Sequence, residues 1–318
     1  MGVIAIDFGG TRCKAGLVRG GEIRELRVLD TPRHGSLAQM LPDLHRMMAE
    51  MAAVDGCSEP VRAVAWALPC IISPDGEKVV RTFGKFEDAP RLDLAVWARD
   101  TMGLPLLLDN DARAAALGEW TRGAGRGVEN MVMVTLGTGI GTGVICEGRP
   151  LRGRNGMAGN LGGHTATHVG GATCACGVEG CLEAQIATWA LPGIVRVRPH
   201  FSTSPLAAEP GLDYEAIFRH AGAGDPLAIA LRDRVLSGWA ALLINMIHSY
   251  DPERIVIGGG IMKGSDAILP VLREKVGQQA TQPGGTVEIV PAALGDAAAL
   301  HGATWLFESA NTNMHFEA

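Results

Sequence analysis

The opening stretch "GVIAIDFGGTRCKAGLVRGGE" has a second version far downstream, "NMVMVTLGTGIGTGVICEGRP". Each is a short apolar run, a glycine turn and a second apolar run. Ile6 and Asp7 correspond to Val134 and Thr135. Gly16, Leu17 and Val18 correspond to Gly143, Val144 and Ile145, with one residue of slippage in the turn. Self-similarity on this scale speaks to fold before it speaks to function. It predicts two α/β halves, each opening on a hairpin around glycines, that face one another across a cleft.

The pattern between the repeats agrees. Gly20 and Gly21 mark a turn between two strands. From Ser36 to Val54, Leu37, Met40, Leu41, Leu44, Met47, Met48 and Met51 recur at helical spacing, which makes these methionines core residues. "VRAVAWALP" and "PLLLDND" read as buried strands, "LDLAVWARDTMG" as a helix stopping at Gly103, and "ARAAALGEW" as the start of another. After the second glycine turn, "HFSTSPLAAEPG" is the best candidate for a mobile loop. Helices then run to about His248, followed by the strand "RIVIGGG", a helix from Ser265, the strand "TVEIVPAAL" and a closing helix from Asp296. The expected domains are 1–118 and 119–318, with the last helix returning to the first domain.

Composition narrows the class. The chain has 318 residues, 47% of them hydrophobic, which suffices for one large or two moderate cores. The net charge is −6 and no basic patch stands out, so a nucleic-acid partner is not expected. No run of 18 apolar residues occurs, so no membrane span is expected. The start lacks a charged segment followed by a long apolar core, so no leader is expected and the reading is cytoplasmic. The cysteines number seven, an odd count, and do not form a disulfide-dense framework.

The glycine turns carry chemistry. "DFGGTRCK" places Asp7 at a strand end beside Gly9, Gly10, Thr11 and Lys14. Glycines let backbone amides approach phosphate oxygens, and the threonine adds a donor. An aspartate there can hold magnesium, directly or through water. Gly137, Thr138, Gly139 and Gly141 repeat the arrangement. A tight hairpin alone explains either turn, but two at matching places in a repeat favour phosphate binding. Neither is a Walker loop, and Lys263 spoils the dinucleotide spacing in "IVIGGGIMKG". "LLLDNDARAAALGE" places Asn110 and Asp111 where a strand passes into a helix, a position from which a carboxylate can take a proton from a hydroxyl. Helix capping by Asp111 is the plainer alternative, and Asp109 competes with it as the base.

Taken together, "DFGGTRCK", "NDARAAALGE", "TLGTGIGTG", "NGMAGNLGGH", "CACGVEGCLE", "IVIGGG" and "ALGDAAALHGA" resemble the ROK family of bacterial sugar kinases and sugar-responsive repressors, in family order and over nearly the whole chain. The resemblance implies an actin/hexokinase-like (ribonuclease H-like) duplicated fold with ATP, magnesium and a sugar in an interdomain cleft. It makes Asp111 the general base. Asn110, Asn160, His164 and Glu183 line the sugar pocket, and Gly258, Gly259 and Gly295 border the nucleotide.

It also gives "CACGVEGCLE" a reading. His164, ten residues before Cys174, joins Cys174, Cys176 and Cys181 as a set of four for one structural zinc in a loop of about 154–183. His168 competes for the place of His164. A disulfide suits neither the close spacing nor a reducing compartment. Zinc would then hold Glu183 beside the sugar. Cys13, Cys57, Cys70 and Cys146 read as small core or surface residues.

The chain departs from the family at three points. The family's "AGExGH" becomes "AGNLGGH", with Asn160 for the glutamate and an extra glycine. Cys70 follows Pro69 where the family has glycine. Arg113 stands where asparagine is common and reads as a solvated helix position. The expected activity is an ATP-dependent sugar kinase. The alternatives are a sugar-responsive regulator, for which the six residues before Asp7 leave no helix-turn-helix, and a non-catalytic sugar-binding protein. A homodimer interface is expected, if anywhere, on the apolar helices between Leu227 and Ile247.

Overall fold

A computed structural model describes residues 2–10, 12–31, 35–54 and 59–314. Thr11 and Cys57, singled out above, lie outside them. Along the chain run β1 (Gly2–Phe8), β2 (Arg12–Arg19), β3 (Glu22–Asp30), α1 (Leu37–Val54), β4 (Val61–Leu68), β5 (Ile71–Ile72), β6 (Val79–Arg81), α2 (Leu94–Met102), β7 (Leu106–Asn110) and α3 (Asp111–Arg122). Then come β8 (Met131–Leu136), β9 (Ile140–Cys146), β10 (Arg149–Pro150), α4 (Leu182–Ile186), α5 (Leu191–Arg196), α6 (Tyr214–Gly222), α7 (Pro226–Tyr250), β11 (Arg254–Gly258), α8 (Ser265–Gln279), β12 (Glu288–Pro291) and α9 (Ala298–Met314).

Two five-stranded sheets have the orders β3-β2-β1-β4-β7 and β10-β9-β8-β11-β12. These match position by position: an antiparallel arm, the first strand of the repeat, then two parallel strands. The repeated glycine hairpin therefore reports a repeated sheet, and the fold is actin/hexokinase-like. A smaller pair, β5 and β6, forms a two-stranded sheet of its own.

By contact density the chain divides into two compact units. One comprises Met1–Glu129, Gly143–Asn160 and Ala293–Ala318; the other comprises Asn130–Thr142 and Leu161–Ala292. The boundary expected after residue 118 falls inside α3, which continues to Arg122.

In the first unit, β1 is covered on both faces, which is why its apolar run does not alternate. Ile4, Ile6 and Phe8 join Trp66, Leu44 and the α1 methionines Met48 and Met51. Val3 and Ala5 face Leu300 and Ala303 of α9. Helices α3 and α9 cross at glycines. A Cβ on Gly118 would sit 1.9 Å from the Ala298 carbonyl oxygen, and one on Gly302 would sit 2.0 Å from that of Ala114. Any side chain at either position would push the two helices apart.

In the second unit, α7 is the longest helix described. Leu231, Val235, Leu236, Trp239, Leu242, Leu243, Met246 and Ile247 are all buried within the chain. Tyr214 of α6 meets Trp239 edge-on with ring centroids 5.2 Å apart. The chain's own packing thus buries most of the large apolar residues of the stripe between Leu227 and Ile247. The stretch expected to be a mobile loop folds into two 3-10 turns, Phe201–Thr203 and Pro205–Ala208. Leu206 is buried there, and the Ser204 hydroxyl donates to Asp225, the N-cap of α7, at 2.9 Å. Among the described residues, no helix is long and apolar enough to cross a membrane.

Candidate active site

The junction of β7 and α3 supplies the central carboxylates of the first unit. Asn110 is the N-cap of α3, and its Oδ1 accepts from the amides of Ala112 and Arg113, each at 3.1 Å. Asn110 thus fills the capping role, and Asp111 shares with it only the Ala112 amide. Its Oδ1 accepts from Asn110 Nδ2 at 3.0 Å and from the Ala112 amide at 2.8 Å, and it forms no ion pair among the described residues. Burial raises its carboxyl above the usual carboxylate range, against the pull of the Ala112 amide and the charge of Lys85.

Asp109 is differently placed. It is fully buried, bonded to Arg113 Nη1 at 2.7 Å and to Arg152 Nη2 at 2.8 Å. Its charge is committed to two guanidinium groups. Arg113 is equally buried, which overturns its reading as a solvated position. Its second nitrogen donates to the Gly156 carbonyl at 2.7 Å, so it fastens the loop that leads to Asn160. Asn160 Nδ2 donates to the same carbonyl at 3.4 Å. Asn160 Oδ1 is buried with no hydrogen-bond partner among the described residues, an acceptor awaiting a donor. Removing Arg113 leaves the buried Asp109 with Arg152 as its one remaining cation, so Arg113→Ala is expected to lower unfolding free energy by up to about 3–5 kcal/mol, the scale of breaking a buried pair. Urea titration measures this; a loss under about 1 kcal/mol would mean that Asp109 is not stranded.

The first glycine turn lies at the end of β1. A Cβ on Gly9 would stand 2.8 Å from the Arg12 carbonyl oxygen, so the turn closes this tightly only with glycine. Burial, and next the nearby Asp111 carboxylate, push Asp7 up to about 7 against the pull of Lys14. Lys14 pairs with Asp7 in the β1–β2 register, and its ammonium meets Asp296 at 2.8 Å. Gly295, beside Asp296, adopts a positive φ of 51°.

Two residues here were not foreseen. Glu119 is buried and its carboxylate accepts from the amides of Leu294 at 2.7 Å and Ala293 at 3.1 Å, so it pins the segment leading to Gly295. An acid within the alanine-rich face of α3 was the available signal. The Lys85 ammonium donates to the carbonyls of Gly9 and of Gly10, the latter at 3.1 Å. It lies in an irregular stretch, and nothing in the sequence marked it.

In the second unit, the turn after β8 is closed by Gly137 N–H donating to the Gly139 carbonyl at 3.1 Å. Glu183 reaches this turn. Its Oε2 accepts from the Ile140 amide at 2.8 Å, and its Oε1 from the Trp189 indole at 3.2 Å. The Thr138 carbonyl accepts from the Trp189 amide at 3.1 Å. Gly258 ends β11, and Gly259 follows with a φ of 94° against the Leu136 carbonyl.

The ligand atoms of His164, Cys174, Cys176 and Cys181 all lie within 4.8 Å of one another. His164 Nδ1 is 3.6 Å from Cys174 Sγ and 3.4 Å from Cys181 Sγ. Tetrahedral zinc, at about 2.3 Å from sulfur and about 2.0–2.1 Å from nitrogen, separates such ligands by roughly 3.5 Å. The geometry fits. His168 is exposed and outside the cluster. Burial raises the Cys174 and Cys181 thiols, so a cation is what would favour their thiolates. Of the remaining cysteines described, Cys13 and Cys70 are buried and Cys146 is exposed.

The chain is 35% identical to the glucokinase of Thermotoga maritima over 95% of both sequences. It is 32% identical to the N-acetylmannosamine kinase of Citrobacter koseri over 82% of this chain and 84% of that one. Its fold superposes on a ROK family glucokinase from Streptomyces griseus, in complex with glucose and AMPPNP, with a TM-score of 0.78 at 27% identity, covering 96% of this chain and 99% of that one. The family model for ROK matches residues 3–310, and the chain belongs to the ROK family.

Proposed function

We propose that this protein is an ATP-dependent kinase that phosphorylates a hydroxyl of a hexose or a related sugar. The observation that carries the reading is Asp111. It is a partly buried carboxylate at a helix start, free of ion pairs among the described residues, in the unit that also holds the Gly9–Gly10 turn and Asp7. Asp109 cannot serve as the base, because both its oxygens are bonded to arginines. Asp111 takes the proton as the sugar oxygen attacks the γ-phosphorus; the bond from that phosphorus to the bridging oxygen breaks and ADP leaves. The glycine turns, Gly9–Gly10 and Gly137–Gly139, with Lys14, offer donors to the phosphates. Gly258, Gly259 and Gly295 border the nucleotide.

Asp7 would hold magnesium, which would neutralise phosphate charge. A carboxylate raised to about 7 by burial and a like neighbour suits a site that receives a cation. His164, Cys174, Cys176 and Cys181 would hold structural zinc, with no open position for catalysis. With His164 Nδ1 turned toward the cysteines and given to a metal, its Nε2 would carry the ring proton and would be the atom left to donate to a sugar oxygen. Asn110, Asn160 and Glu183 complete the sugar-binding set.

Asn160 sharpens the choice of acceptor. A glutamate offers two charged oxygens. Asn160 offers one neutral acceptor, Oδ1, while its Nδ2 is bonded to the Gly156 carbonyl. Charge-assisted hydrogen bonds are roughly twice as strong as neutral ones, so glucose is held less firmly than by the usual loop. Another hexose, an amino sugar or a polyol is expected to be the better acceptor.

A coupled ADP-release assay over hexoses, amino sugars and polyols tests both parts. Sugar-dependent ADP release, with kcat/KM for glucose below that of the best acceptor, is the expected result. Glucose as the best acceptor at about 10⁴ M⁻¹s⁻¹ or above removes the specificity argument but leaves the kinase. No release with any sugar overturns the kinase.

A further inference from the structure

We propose that Lys85 is a positioning residue for phosphate binding, fixing the first glycine turn by gripping its carbonyls. This rests on the kinase reading of that turn. The segment between β6 and α2 is locked to the end of β1. Phe86 is buried, and its ring meets that of Phe8 edge-on with centroids 5.7 Å apart. Phe8 immediately precedes Gly9, so the anchor registers Lys85 on the turn. The anchor is also strained. Phe86 has a φ of 56°, a conformation side chains other than glycine rarely adopt and that persists where surrounding structure demands it, often at functional sites.

The consequence follows from peptide geometry. A trans peptide is planar, with its carbonyl and amide pointing opposite ways. Lys85 Nζ bonded to the Gly9 carbonyl therefore directs the Gly10 N–H the opposite way within that plane, away from the ammonium. The second bond, to the Gly10 carbonyl at 3.1 Å, stops the turn from rotating. Polarising a carbonyl also strengthens the amide bonded to it as a donor, since linked hydrogen bonds reinforce one another. An ammonium has three donors, and two are used here. The charge stands within electrostatic reach of Asp111 and Asp7 as well as of the buried thiols Cys13 and Cys70. It thereby moderates the negative field that a phosphate must enter.

Lys85→Met and Lys85→Arg test this, with titration of a non-hydrolysable ATP analogue by calorimetry, steady-state kinetics and thermal melting. Lys85→Met is expected to weaken analogue binding and raise KM for ATP by roughly tenfold to a hundredfold, the scale of a charge-assisted hydrogen bond. KM for the sugar and the melting temperature should stay near wild type, and Lys85→Arg should recover part of the loss. Unchanged nucleotide affinity in Lys85→Met overturns the proposal. So does a lowered melting temperature with sugar and nucleotide affinities falling together, which marks a mere structural pin. If the wild type releases no ADP with any sugar, the kinase reading fails, and the calorimetric comparison still decides the role of Lys85. A wild type that binds no nucleotide overturns both.

Discussion

Chelation of the proposed zinc is expected to loosen the segment from about His164 to Glu183 while most of the fold survives. Elemental analysis of protein purified without chelator is expected to find one zinc per chain. The segment has little else to hold it. Among the described residues, Cys174, Cys181 and Ala184 with Cys176 alongside form a small cluster there, Leu182 is buried next to it in sequence, and Val169 is fully exposed at 103%. A structural zinc contributes on the order of 10 kcal/mol to the ordering of its site, far more than such a small cluster. The loss should travel. Cys181 is the N-cap of α4, and two residues on, Glu183 accepts from the Ile140 amide in the second glycine turn. Hydrogen exchange after chelation should therefore quicken both between His164 and Glu183 and at Ile140, with sugar and nucleotide affinity weakened together. Protein that contains no metal, or exchange that chelation leaves unchanged, would sink the zinc assignment.

Asp111→Ala is expected to lower turnover by about a hundredfold to ten-thousandfold, the scale of losing a general base. Nucleotide binding should persist, because the first glycine turn does not depend on that carboxylate. The pH profile gives a second reading. Only ionised Asp111 accepts a proton, and burial raises its carboxyl above the usual range. In wild type kcat/KM should fall as pH is lowered through that raised value. The residual rate of Asp111→Ala should lack that limb. Near-normal turnover in the variant would remove Asp111 from the role. Asp109→Asn then becomes the instructive comparison: with two arginines on its oxygens, its loss should appear in urea stability before it appears in pH dependence.

Local chemistry and short-range pattern made much of this chain legible. The repeated glycine hairpin announced two sheets of one strand order. The apolar spacing from Leu37 to Met51 announced α1, and the strand-to-helix step at Asn110 announced the carboxylate. The cysteine spacing announced that Cys174, Cys176 and Cys181 gather at one place. Each of these depends on residues close in sequence, whose geometry the backbone nearly dictates.

Which charges would be buried, and against what, could not be read this way. Position at the strand-to-helix step alone does not separate Asp109 from Asp111; the family resemblance does, and Arg152 and Arg113 claim the first. Arg113 reads as an exposed helix position until the Gly156 carbonyl, 43 residues away, is brought to it. Lys85 meets Gly9 across 76 residues, and Glu119 meets Leu294 across 175. The apolar stripe of α7 reads equally as core or as interface until α6 covers part of it. A polar group or apolar face in a low-dielectric interior must find a partner, and tertiary packing decides which one arrives. The sequence by itself determined the repeat, the two glycine turns and the clustered cysteines; the tertiary structure alone gave Asp109 its two arginines, buried Arg113 and placed Lys85 on the turn.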